Sequence, residues 1–149
     1  MRVLNLSGFL GAALLSSAIV DTAQSATFDA GTVNFQYYFS GGTFNSDGSP
    51  STFSAPGSAT FGPWFTVTVS GDQIVYTYLE ATNWSGSTAS LNSNGLFIDN
   101  GSLISSVSGI PSFTNVTLDP SSILTGSTFT ASDVTWNSGA VAVSWGGTP

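Results

Sequence analysis

Past residue 21, seven carboxylates are the only side chains equipped to exchange protons or hold a cation near neutral pH: Asp29, Asp47, Asp72, Glu80, Asp99, Asp119 and Asp133. The chain has no histidine, cysteine or lysine, and its single arginine is Arg2. Ser–His, Cys–His and Ser–Lys nucleophile systems are therefore excluded, because each needs a base the chain does not own. Zinc sites built from His and Cys fall for the same reason. A carboxylate pair of the glycoside-hydrolase kind survives the filter, Glu80 with Asp99 for example. Nearly all seven acids stand at expected turns or strand ends, and solvated loop carboxylates are the favoured reading. No catalytic residue is assigned, and the chain is read as non-enzymatic.

Oxygen-rich turns are the setting in which calcium binds. Asp99-Asn100-Gly101-Ser102 and Asn45-Ser46-Asp47-Gly48 have that composition, making Asp99, Asn100 and Asp47 the candidate ligands. Neither run carries the terminal Glu of the twelve-residue calcium loop, and Asx turns account for both. No cofactor is expected, with calcium as the ionic alternative. For a sugar, an exposed aromatic ring flanked by amides is the usual platform. Trp84, alone in a polar stretch, is the first candidate, and Tyr38, on the polar face of its strand, is the second. Trp64, Trp136 and Trp145 are assigned to core faces.

The formal net charge is −7. Phosphate-backbone recognition depends on Lys and Arg, so nucleic acid is excluded as a partner, and attraction to anionic lipid fails likewise. Residues 1–25 read as a secretory signal: Arg2, then a mostly apolar run over residues 3–20, then Ala23-Gln24-Ser25 at the positions a signal peptidase reads. Removing that leader would take away Arg2 and Asp21, leaving seven acids and no cation. No other stretch reaches the roughly 20 apolar residues of a membrane-spanning helix. Residues 26–149 are expected to form one domain, large enough to fold without disulfides.

Alternation organises that domain. Phe65, Val67 and Val69 alternate with Thr66, Thr68 and Ser70, and Gly71-Asp72 supplies a two-residue hairpin turn before Ile74, Tyr76 and Tyr78. Val33, Phe35, Tyr37 and Phe39 mark one face of an earlier strand. Val134 and Trp136 should oppose Val143 and Val141 around a Ser138-Gly139 turn. The apolar run around residues 95–99 should close in a turn at Asn100-Gly101, and Asp119-Pro120-Ser121-Ser122 could open one helical turn. Such patterns predict an all-β sandwich, Greek-key or jelly-roll-like, of about eight to ten short antiparallel strands preceded by a signal-peptide helix. With no lysine to guard them, its edge strands are open to self-association. The N-x-S/T triplets at Asn83, Asn100 and Asn115 are incidental in so Asn- and Ser-rich a chain.

Tyr37-Tyr38-Phe39-Ser40, Ile74-Val75-Tyr76-Thr77-Tyr78, Asn94-Gly95-Leu96-Phe97-Ile98-Asp99 and the stretch 129–145 together resemble exported bacterial proteins of the PEP-CTERM class. Their strand and turn motifs carry no chemistry. The resemblance implies a structural role outside the cell, in a biofilm, extracellular matrix or envelope, with polysaccharide or other matrix components as partners. Members of that class end in a Pro-Glu-Pro motif, a membrane helix and a basic tail, whereas this sequence stops at Gly146-Gly147-Thr148-Pro149. A piece of a longer product and a released relative both meet that expectation, so export carries over and surface anchoring does not. A carbohydrate-binding module is the alternative function. If the leader is read correctly, intact-mass measurement of the exported protein will find Ala26 at its N-terminus, and Met1 there would refute it.

Overall fold

A computed structural model describes residues 16–21, 27–39, 42–43, 50–80, 84, 86, 90–91, 95–119 and 128–146; for 16–21, 42–43, 90–91 and 97 the description is of backbone only. Within these residues the chain is all-β, with thirteen strands. One antiparallel sheet contains β1 (Ser16–Asp21), β5 (Gly57–Phe61), β6 (Phe65–Ser70), β7 (Gln73–Tyr78) and β11 (Val116–Leu118), in the order β11-β1-β7-β6-β5. The other runs β12 (Val134–Asn137), β13 (Ala140–Ser144), β10 (Gly101–Ser108), β2 (Gly31–Phe39), β3 (Gly42–Thr43), with β4 (Ser51–Ala55) also on β2. A short ribbon pairs β8 (Ser90–Leu91) with β9 (Phe97–Ile98). The chain changes sheets between β4 and β5, where Pro56 interrupts the ladder and Gly57 leaves no room for a Cβ beside the Ser54 carbonyl.

The central hairpin forms as its alternation predicts. Phe65 pairs with Tyr78, Val67 with Tyr76 and Val69 with Ile74. Gly71 sits at φ +57, the positive value that a type II′ turn requires at its first central position. The β12–β13 hairpin also has the expected register, Trp136 on Val141 and Val134 on Val143. The Asn137 carboxamide oxygen accepts from the Gly139 and Ala140 amides and clips its turn.

The two sheets face one another across a core rich in rings. Phe65, wholly buried, contacts Phe35, Phe61, Tyr76, Tyr78, Trp84 and Trp145 with centroids 5.1–6.0 Å apart. Val33, Val67, Val69, Ile74, Ile104, Val141 and Val143 fill the rest.

Three expectations are corrected. Ser16–Asp21, assigned to a leader helix ahead of the domain, is a strand between β7 and β11; its β-branched Ile19 and Val20 suit a ladder with partners on both sides. Ala140 and Ala142, which hairpin alternation assigns with Thr135, Asn137 and Ser144 to the face opposite Val141 and Val143, are fully buried. They join Leu96, Ile98 and Leu103 in a second apolar cluster on the far side of the six-stranded sheet, so β10 and β13 are covered on both faces. Phe39, read as the last inward residue of its strand, is 40% exposed because it lies at the strand's end. The helical turn considered at 119–122 lies mostly outside the described residues; a 3₁₀ turn occurs instead at Ala131–Asp133, where the Asp133 carboxylate accepts from the Thr130 amide.

Replacing Phe65 with alanine removes the ring shared by both sheets. It should cost about 3–5 kcal/mol, read as a lower urea midpoint at unchanged slope.

Candidate functional site

Three strands bring hydroxyl and amide groups together inside the sandwich. β2 delivers Tyr37, β10 delivers Ser102 and β7 delivers Tyr76 from the opposite sheet. The Tyr76 phenol and the Ser102 hydroxyl lie 2.7 Å apart, both fully buried. Tyr37, directly opposite Ser102 in the ladder, donates its phenol proton to the Asn100 carboxamide oxygen. Asn100 is 4% exposed and holds φ at 45, a left-handed conformation that Asn tolerates better than most residues. Its carbonyl accepts from the Trp145 amide at 2.9 Å, so this turn is tied to both β2 and the end of β13.

Burial dominates the titration of these phenols. It pushes Tyr37 up to about 12. Tyr76 is raised by burial and drawn partly back by Ser102, and Tyr78 is raised by burial and then by the neighbouring Tyr76 and Tyr37 phenols.

The candidate sugar platform is not assembled. Trp84, expected to be exposed, is only 6% exposed and lies among Tyr37, Phe65, Tyr78 and Trp145, 5.1 Å from the last. Its polar neighbours in sequence say nothing about where its ring goes. Tyr38 points to the other face of β2, half-buried against the Leu96–Leu103–Ala142 cluster. The two residues therefore sit on opposite sides of one sheet. Trp64 and Trp145 are packed against the core as expected. Trp136, assigned to a core face, is 37% exposed. Hairpin register gives its face correctly, but β12 ends the sheet and leaves the ring uncovered on one flank. Trp136 is the aromatic the sequence reading missed; its place beside the Asn137-Ser138-Gly139 turn was the available signal.

Of the three candidate calcium ligands, Asn100 gives its side-chain oxygen to a phenol. Asp99 uses its backbone amide toward the Ser144 hydroxyl and its carbonyl toward the Gly146 amide. Asp47 lies outside the described residues. No cluster of three His, Cys, Asp or Glu side chains exists among the described residues. Glu80 is exposed just past the end of β7. No helix among the described residues is long and apolar enough to cross a membrane. Comparison of the chain with protein-family models, curated proteins and solved structures gave no match.

The phenols fix the alkaline limit of the fold. A group whose folded pKa lies above its unfolded value of about 10 binds its proton more tightly when folded. Its contribution is complete below pH 10 and is lost as pH climbs toward the folded value. Stability should therefore decline from about pH 10 through about pH 12, where Tyr37 titrates. Phenolate absorbance and tryptophan fluorescence followed together in an alkaline titration would check it. Ionisation of every tyrosine near 10 with the fluorescence unchanged would contradict the buried phenols.

Proposed function

We propose that this chain is an exported, non-enzymatic structural or interaction protein of a bacterial cell surface or extracellular matrix. The observation that carries the reading is chemical: the sequence holds no histidine, cysteine or lysine, and its one arginine precedes the expected cleavage point. A chain so equipped has no imidazole, thiolate or amine side chain to activate a hydroxyl or attack in its own right, and past Arg2 it has no cationic side chain to draw it onto nucleic acid. Its resemblance to exported proteins of the PEP-CTERM class supports the same address. The aromatic rings contribute chiefly to the interior, as in a domain whose task is to persist and be contacted. Partners of the matrix kind, polysaccharide above all, and further copies of the chain are the contacts that fit an acidic, hydroxyl-rich surface.

Carbohydrate binding is the second reading, and one observation favours it. Trp136 stands on edge strand β12 with more than a third of its surface open, the exposed ring that was expected of Trp84.

Fractionation of the producing cells and pull-down on matrix polysaccharides separate the two. The structural role predicts recovery in the matrix fraction with polysaccharide retention unchanged by Trp136→Ala. Retention abolished by Trp136→Ala, and kept by a Tyr38→Phe control, would replace it with a sugar-binding module. Hydrolysis of those polysaccharides, lost on Glu80→Gln, would overturn both.

A further inference from the structure

Asparagine followed by glycine is the pairing most prone to lose its side-chain amide, and the turn into β10 is built on one, Asn100-Gly101. In an unfolded chain the glycine nitrogen gives its proton to hydroxide and attacks the asparagine side-chain carbonyl carbon. A cyclic imide forms as ammonia leaves with a proton taken from water. Glycine favours the closure because no Cβ stands in the way of the attack. Water then opens the imide. Opening at the side-chain carbonyl gives aspartate, and opening at the main-chain carbonyl gives isoaspartate, which carries one more methylene in the backbone.

The folded turn opposes each part of that closure. The Asn100 carboxamide oxygen is committed to the Tyr37 phenol, and the residue is buried away from hydroxide. Gly101 stands in register with Ser144 on one side and Tyr38 on the other, so its nitrogen belongs to the middle of a sheet. A Cβ at Gly101 would collide with the Val143 carbonyl and lie 2.9 Å from the Ile98 side chain, which leaves the peptide no room to swing toward a ring. The peptide units on either side are pinned by the Trp145 amide on the Asn100 carbonyl and the Gly146 amide on the Asp99 carbonyl, both at 2.9 Å. These same contacts cannot accept the isoaspartyl product. An extra methylene between residues 100 and 101 displaces β10 against both neighbours. Register decides which face each side chain takes, and β10 sends Ile104 into the sandwich and Leu103 into the opposite cluster.

We propose that Asn100-Gly101 is a one-way folding checkpoint: the native turn holds off imide closure, and a chain that reaches isoaspartate at position 100 while unfolded cannot rebuild the sandwich. The sequence supplies its own yardstick, since Asn94-Gly95 is the same dipeptide. Purified full-length chain is held in mildly alkaline buffer with and without urea, and peptide mapping by mass and retention locates each conversion. Both pairs should convert in urea. Without urea, conversion at Asn100 should be at least about tenfold slower than in urea, because it then waits on opening of the sheet. Equal rates at Asn100 in the two buffers would overturn the proposal. The aged chain is next diluted from urea, and native and non-native material are separated by gel filtration. Isoaspartate at position 100 should be confined to the non-native fraction; its presence in the native fraction would overturn the proposal. Asn100→Gly keeps a residue suited to the left-handed turn and cannot form the imide there. Aged alongside, it should refold as fully as when fresh, and a loss equal to that of the natural sequence would place the damage elsewhere and overturn the proposal. Should fresh Asn100→Gly fail to fold, the division of isoaspartate between the two fractions of the natural sequence decides alone.

Discussion

Burial of aromatic rings between the sheets is the interaction on which this molecule depends. Arg2 is the one cationic side chain in the sequence, too few to pair with eight carboxylates, and no disulfide can form in a chain without cysteine. Removal of apolar surface from water, near 25 cal/mol per Å², must therefore offset most of the chain entropy. The composition meets that demand with rings: Phe65 and Trp145 each touch both sheets, and Tyr37, Tyr76, Tyr78 and Trp84 close around them. Rings of this size bring polar tips inside with them, and a buried hydroxyl without a partner costs about 1–3 kcal/mol. The Tyr76–Ser102 contact answers that cost, and it joins the two sheets beside Phe65 and Trp145. Trp84 is less well served: its indole nitrogen is buried and meets no acceptor among the described residues.

The six-stranded sheet has no wet face at its centre. Ile104, Val141 and Val143 point into the sandwich while Leu103, Ala140 and Ala142 point into the cluster capped by Leu96 and Ile98. Covering both faces explains why the loop at Asp99 and Asn100 is pinned so heavily. It carries the chain from the cap back into β10, and slack there would uncover both layers. The same economy limits what the surface can do. Large apolar side chains exposed among the described residues are Phe39, Leu79, Val107 and Trp136, and they come from four different strands or strand ends.

Sequence pattern disclosed two of the hairpins, because register and turn chemistry are local, and it passed over those of β2 with β3 and β5 with β6 in a stretch read as a connection. Residues 65–78 and 134–144 are the cases in point. It disclosed which face a side chain takes, as Val33, Phe35 and Tyr37 show, and it failed to disclose how far that face extends. Trp136 shares the inward face of Val141 yet lies at the sheet's margin, and the order of strands across a sheet is a non-local property. Trp84 failed in the opposite sense, since the polarity of its sequence neighbours bears on the loop and not on the ring. Ala140 and Ala142 were misread although the signal was there: an unbroken A-V-A-V run is what a strand buried on both faces looks like. Asn100 was singled out for its oxygen, but the acceptor role it plays for Tyr37 depends on a contact 63 residues away.

The most informative ambiguity concerns residues 16–21. A stretch of small and β-branched apolar residues satisfies a signal peptidase's reader and a sheet's ladder equally, because both ask for chain that is apolar and slender. Sequence therefore could not choose between leader and strand, and the ladder by itself does not choose either. What the ladder does settle is dependence: among the described residues β11 pairs with β1 alone, so the position of β11 is set by whatever stands between it and β7. A five-stranded sheet in which two of the four strand contacts involve β1 has a definite seam there. Ile74 and Tyr76, wholly buried when that strand is present, are the core residues that lose a flank when it is absent. Hence the place between β7 and β11 cannot stand empty without cost, and β1 holds the outer part of the sheet in position.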